Sequence, residues 1–277
     1  MMKVLGVIPA RLESSRLPRK LLARVGGKPV LQHVWERARR ARLLDRLVVA
    51  TDSSEIEQAA RGFGAEVERT SSKPRSGSER CAEVARRLPA QVVINIQGDE
   101  IGVTGAMVDA LARALLAQPQ LALATLSQPL EDTREWTDPG VVKVVTDLSG
   151  NALYFSRAPI PFGAAAGPRR RDLRRHIGLY GYRRQALLTL ARRPQTPLER
   201  SEGLEQLRAL EHGMTIRVLA SRQRSQEINT PADLRRARSL WLRPASGAVR
   251  AGSQHLLKTA GIQRVPHGRI RWRNSSL

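Results

Sequence analysis

The sequence predicts an α/β fold, a doubly wound and mostly parallel sheet joined by a smaller antiparallel lobe. Three observations carry this. Between Val4 and Ile96, short apolar runs alternate three times with stretches of helical periodicity, the rhythm of strands buried on both faces under helices. The polar segments Pro9 to Lys20, Thr51–Asp52 and Gln97 to Glu100 follow those runs, where ligands bind in such sheets. From Val141 the rhythm changes to two apolar runs joined by the turn Asp147 to Asn151, which contains Gly150 and reads as a hairpin.

Each element follows from its pattern. Val4 to Ile8 is a strand, and Pro9, which has no backbone donor, is expected to take the chain out of the sheet. Val30, Leu31, Val34, Trp35 and Ala38 recur at helical spacing, and Leu47 to Ala50 is a buried strand. Asp52 to Glu55 can cap a helix with Ile56, Ala59, Ala60 and Phe63 inward, ending at Gly64. Ala65 to Thr70 is the third strand, Cys81, Val84, Ala85 and Leu88 face inward from the next helix, and Val92 to Ile96 is the fourth strand. Met107 to Leu115 is helical, and strands follow at Leu121 to Leu126, Val141 to Thr146 and Ala152 to Phe155. Gly163 to Arg175 lacks periodicity and reads as a loop before the strand Ile177 to Tyr182. Leu198 to His212 is expected as one helix stopped by Gly213, then a strand from Thr215 to Ala220. Thr230 caps a last helix with Pro231 in its first turn. From Leu242 on there are seven basic residues and no acidic one, so residues 242–277 read as a disordered appended tail beside a 1–241 domain.

Composition narrows the function classes. Of 277 residues 41% are hydrophobic, enough for a sizeable core. The net charge of +22 favours polyanionic partners such as nucleotides, nucleic acid or an anionic membrane face. No zinc module, RNA-binding aromatic signature or helix-turn-helix pattern accompanies it, so nucleic acid is expected only nonspecifically if at all. Cys81 stands alone, which excludes an internal disulfide and a multi-cysteine metal site. No apolar run reaches membrane-spanning length, and the protein is read as cytoplasmic.

Two segments carry chemistry. In the loop after the first strand, Arg16 can grip phosphate oxygens with its planar fork and Lys20 adds a compact charge, which suits a triphosphate losing pyrophosphate. A solvated basic loop is the plain alternative. In VINIQGDE, Asp99 follows a buried strand and points into the expected crevice, as magnesium triphosphate chemistry needs. A turn aspartate is the alternative there. Ser76 to Arg80 offers a glycine, hydroxyls and an arginine at a helix start, or simply a cap formed by Ser78.

In order along the chain, IPARLESSRLPRK, SGSER, INIQGDE, ALYFSRAPIP, RHIGLYGYR, LERSEGLEQLRAL and NTPADL together resemble 3-deoxy-manno-octulosonate cytidylyltransferase, the CMP-Kdo synthetase family, over roughly residues 3–240. The resemblance implies a nucleotide-diphospho-sugar transferase-like fold and a homodimer formed through the middle lobe. It implies CTP and a keto sugar acid as substrates, Mg²⁺ as cofactor, and a product for lipopolysaccharide biosynthesis. By position, Arg16, Lys20 and Asp99 are catalytic; Pro9, Ala10, Arg11, Ser76, Gly77, Ser78, Arg80 and Gln97 bind the nucleotide. Arg157, His176, Tyr180, Glu205 and Gln206 match positions around the sugar acid, although neighbours such as Glu205 and Gln206 cannot face the same way.

The chain departs from the family pattern at Arg19, at Ile101–Gly102 after QGDE, and at Asn229, which stands where a metal-binding aspartate belongs. The last change is expected to weaken the metal site, unless Asn229 merely precedes the Thr230 helix. Two other readings use the same residues: a paralogue charging another keto sugar acid, and a chain without catalysis that binds nucleotide or polyanion.

Overall fold

The computed structural model describes residues 2–14, 16–74, 76–130, 132–162, 173–224 and 226–242. In chain order the elements are β1 (Met2–Ala10), a 3₁₀ turn (Lys20–Leu22), β2 (Arg24–Val25), β3 (Lys28–Pro29), α1 (Val30–Ala38), β4 (Arg46–Thr51), α2 (Ser54–Gly62) and β5 (Glu66–Arg69). Then come α3 (Gly77–Arg87), β6 (Ala90–Asn95), α4 (Gly105–Ala117), β7 (Leu123–Pro129), α5 (Thr133–Thr137), β8 (Lys143–Thr146) and β9 (Ala152–Ser156). The last are β10 (Arg174–Arg183), α6 (Arg184–Leu190), α7 (Pro197–Glu202), α8 (Gln206–Glu211), β11 (Ile216–Ala220) and α9 (Pro231–Leu242).

The main sheet runs β11-β7-β10-β6-β1-β4-β5, with β8 beside β10 and β9 beside β8. Strands β6, β1, β4 and β5 are parallel, and β10 runs antiparallel to β6 and β7. The chain winds outward from β1 through β4 and β5, then crosses to β6 on the other side. The order therefore reverses between β1 and β6, and the crevice opens beyond their carboxyl ends. Val4, Leu5, Val7 and Ile8 are fully buried because both faces are covered. Leu31, Val34, Ile56, Met107 and Leu111 of α1, α2 and α4 pack on one face; Cys81, Val84, Leu187 and Leu207 of α3, α6 and α8 pack on the other. A third cluster of Val25, Val30, Ile101, Ile228, Leu234 and Ala237 seats α9.

Three expectations change. Pro9 lies inside β1, opposite Ala50, not beyond its end. The Val7 carbonyl accepts from Ile96 at 2.9 Å, and residues along a strand address alternate neighbours, so Pro9 turns its donorless nitrogen toward β6. Pairing with β6 stops at Val7 and Asn95, so Pro9 lies past the last pair of that ladder. The single helix from Leu198 to His212 is two, α7 and α8, because Gly203 takes a left-handed φ of 63° and the Leu204 amide closes the turn on Glu199 at 3.2 Å. Arg174 and Arg175, read as loop, are the first residues of β10. The rest of that loop, residues 163–172, and the tail from 243 lie outside the described residues.

Candidate active site

At the carboxyl ends of β1 and β6 a crevice is lined by Pro9, Ala10, Arg11, Lys20, Ser76, Gly77, Arg80, Gln97 and Asp99, nine of the positions singled out in the sequence. The 3₁₀ turn after the basic loop aims Lys20 into it. The Lys20 ammonium forms a close ion pair with Asp99, both side chains being mostly buried, and its Nζ donates to Asn229 Oδ1 at 3.3 Å. Arg16 Nη2 donates to the same oxygen at 3.3 Å.

Residues 226–229 reach this point through the loop after β6. The Gly102 amide donates to the Gln226 carbonyl at 3.2 Å, and the Ile228 amide to the Asp99 carbonyl at 3.0 Å. Buried Glu100 accepts from the Gln226 amide at 2.7 Å and the Gly102 amide at 3.0 Å. The Ile101–Gly102 departure therefore has a structural place: Ile101 fills the cluster under α9, and Gly102 lies against the Gln226 backbone.

Asn229 does not cap α9. Thr230 does, accepting from the Asp233 amide at 3.2 Å, while the Asp233 carboxylate accepts from the Asn229 and Thr230 amides at 3.1 and 2.8 Å. The Asn229 side chain is thus free to face Lys20 and Arg16. A residue not singled out from the sequence joins it: Glu227 Oε2 accepts from Asn229 Nδ2 at 2.7 Å. Burial, and then the Asp99 charge, push the Glu227 carboxyl above its usual range. The signal available in the sequence was spacing, since residues two apart in an extended segment share a side.

At the nucleotide end, Ser76 rather than Ser78 is the N-cap of α3, accepting from the Glu79 amide at 3.2 Å, and its hydroxyl donates to Glu205. Ser78 points away from the crevice, its hydroxyl 3.0 Å from the Tyr182 hydroxyl in the buried layer. Arg80 is buried and largely committed to structure, with an ion pair to Asp52 at 3.1 Å and a hydrogen bond to the Thr70 hydroxyl. Gln97 donates to Asn95 Oδ1 at 3.4 Å.

Of the five positions matched to the sugar acid, Glu205 reaches that crevice through its hydrogen bond from Ser76. Arg157 is clamped, donating to the Glu202 carbonyl and the Pro139 carbonyl, each at 2.9 Å. Lys143, fully buried, donates to the carbonyls of Asp138, Val141 and Arg157 and fixes the loops around it. His176 is buried between Phe155 and Tyr180, ring centroids 5.1 and 5.3 Å away. Thr125 donates its one proton to the Leu179 carbonyl at 2.7 Å, so His176 Nε2, 2.9 Å from the same hydroxyl, must be the donor. Burial, then Arg175, holds the imidazole pKa down to about 3, so it is neutral. Burial pushes the Tyr180 phenol well up. Glu205 reaches Ser76, and burial raises its carboxyl despite the Ser76 hydrogen bond. Gln206 turns inward, with Nε2 buried and unpartnered among the described residues. The pair faces two ways, and neither is a solvated helix face.

Among the described residues no three His, Cys, Asp or Glu side chains are grouped to hold a metal by themselves, and no helix is long and apolar enough to cross a membrane. The chain nevertheless offers two carboxylates and an amide oxygen beside three cations, which suits an anionic ligand and a hard cation together.

Residues 5–216 match the Cytidylyltransferase family. Proteins named 3-deoxy-manno-octulosonate cytidylyltransferase from Syntrophotalea carbinolica and Solibacter usitatus are 48% and 47% identical, over 84% and 86% of this chain and 96% and 94% of theirs. A solved CMP:2-keto-3-deoxy-manno-octonic acid synthetase complexed with CTP superposes with a TM-score of 0.79 at 38% identity, covering 86% of this chain and 98% of that one. A Leptospira borgpetersenii cytidylyltransferase shares the fold, with a TM-score of 0.57 at 18% identity.

Proposed function

Since the chain belongs to the 3-deoxy-manno-octulosonate cytidylyltransferase family, we propose that it joins CTP to 3-deoxy-manno-octulosonate, giving the CMP-linked sugar acid and pyrophosphate. The anomeric hydroxyl oxygen bonds to the α-phosphorus of CTP, the bond to the β-phosphate oxygen breaks, and the hydroxyl proton passes to solvent. The observation that carries this is the meeting of Arg16, Lys20, Asp99 and Asn229 at the carboxyl ends of β1 and β6.

In this reading Arg11, Arg16 and Lys20 neutralise the triphosphate and hold it in line, which is most of what phosphoryl transfer asks of a protein. Pro9, Ala10, Ser76 and Gly77 enclose the nucleoside, with Arg80 bracing the wall. Mg²⁺ supplies neutralisation of phosphate charge when bound. Its fit rests on the donor set: the Lys20 ammonium already lies between Asp99 and the Asn229 oxygen, so the chain's own cation stands where these oxygens would share a divalent one. His176, neutral, serves by hydrogen bonding and shape rather than as an acid, and Tyr180, Glu205, Gln206 and Arg157 frame the sugar-acid side. A cytoplasmic homodimer, feeding lipopolysaccharide assembly, completes the proposal. The β8–β9 hairpin supports the dimer, since Leu148 and Leu153 at its turn and on β9 stand exposed.

Pyrophosphate release with CTP, 3-deoxy-manno-octulosonate and Mg²⁺ tests this. Turnover is expected with the wild type and at least about 10²-fold less with Asp99→Asn. CTP binding without any pyrophosphate release would overturn the enzymatic reading in favour of binding alone.

A further inference from the structure

We infer that Glu227 is the positioning residue of the cation site, holding the Asn229 amide oxygen toward the cation and carrying the negative charge that position 229 lacks. The inference rests on the proposed Mg²⁺ dependence. Asn229 has one acceptor and one donor end, and its environment orders them. Nδ2 donates to Glu227 Oε2 at 2.7 Å, which leaves Oδ1 facing Lys20 and Arg16 at 3.3 Å each. Lys20 and Arg16 can only donate and so draw the oxygen, while Glu227 holds the nitrogen end; without Glu227 the amide loses the contact that anchors it from the other side.

Glu227 is itself fixed. Its backbone bridges to Glu100, one residue after Gln226, whose amide the buried Glu100 carboxylate draws in, and one before Ile228, whose amide bonds the Asp99 carbonyl at 3.0 Å. Its side chain has a made space: a Cβ on Gly178 of β10 would stand 3.2 Å from Glu227 Oε1, so glycine there leaves the carboxylate its place. Asp99, Lys20 and Arg175 are all near enough to act on its charge. Losing a partner that orients a ligating group typically weakens metal binding about 10–100-fold.

A consequence reverses the sequence-based expectation about Asn229. With Glu227 in place, Asn229→Asp sets two carboxylates at the 2.7 Å contact that is now a hydrogen bond, so it gains nothing. The carboxylate can be moved, not simply added.

The test is Mn²⁺ binding to the full chain with CTP present, read by the loss of the free-ion electron paramagnetic resonance signal, together with thermal melts. Glu227→Gln, which keeps an acceptor but drops the charge, is expected to weaken Mn²⁺ binding about tenfold or more. The double change Glu227→Gln with Asn229→Asp is expected to return within about threefold of wild type, a rescue that a merely structural role would not produce. Wild-type Mn²⁺ affinity in Glu227→Gln overturns the inference, as does failure of the folded double variant to recover. If the wild type takes up no Mn²⁺, or Asp99→Asn binds it as well as wild type does, the Mg²⁺ reading itself falls and this inference with it.

Discussion

Gly102→Ala should damage activity from a position that touches no substrate. A Cβ there would lie 2.5 Å from the Gln226 nitrogen and 2.8 Å from both the Arg224 carbonyl oxygen and Glu100 Oε1. Two of these are backbone atoms that cannot swing aside, so clearing them takes a displacement of roughly 1 Å. That movement opens the Gly102 to Gln226 bond and pulls the Gln226 amide off the buried Glu100 carboxylate, now 2.7 Å away. Overpacking costs about 1–3 kcal/mol, and a lost hydrogen bond to a charged group about 1.5–3 kcal/mol. A net destabilisation of about 3 kcal/mol is expected, a fall in Tm of about 6–12 °C for a unit of this size. The same shift carries Glu227 and Asn229 away from Asp99, and a misplacement of about 1 Å lowers turnover about 10²-fold. Pro9, Arg11, Ser76 and Gly77 are untouched, so KM for CTP should change little. Melting and pyrophosphate release measure both effects. A variant with wild-type Tm and kcat would show that the Gly102 contact with residues 224–226 does not hold the site together.

Lys20→Met should lower kcat at least about 10²-fold. Because it removes the cation competing for Asp99 and Asn229, Mg²⁺ should raise its Tm more than that of wild type; an equal rise would mean Lys20 and Mg²⁺ do not share those oxygens. His176 binds a proton in the unfolded chain near pH 6.5 but in the folded one only near about 3, so stability should fall as pH drops through that window. Between pH 7 and 5 its share of the loss is about 2 kcal/mol, and urea unfolding of His176→Gln should be flatter over that range by this amount. Ser76→Ala removes the α3 cap and the hydroxyl that Glu205 accepts, lowering stability by about 1 kcal/mol and Tm by about 2–4 °C. An unchanged melt would assign the cap to another group.

Local pattern and chemistry were enough to read the parallel half of the fold and the crevice. Strands β1, β4 and β6 carry continuous apolar runs because both their faces are covered, the edge strand β5 buries Val67 between charged residues, and the loops after β1 and β6 carry their cations and carboxylate in plain view. Which groups meet was decided by tertiary structure. Arg16 and Lys20 lie some two hundred residues from Asn229, and nothing local says that all three share an oxygen or that Glu227 reaches its amide. Burial likewise reassigned residues whose type suggested a ligand role: Ser78 and Arg80 serve the layer beneath the nucleotide loop, and His176 is neutral because sheet and aromatic rings exclude water around it. Pro9 stays in its strand for the same kind of reason. A sequence states that a donor is missing, but only the pairing of the sheet decides whether the ladder still runs at that position.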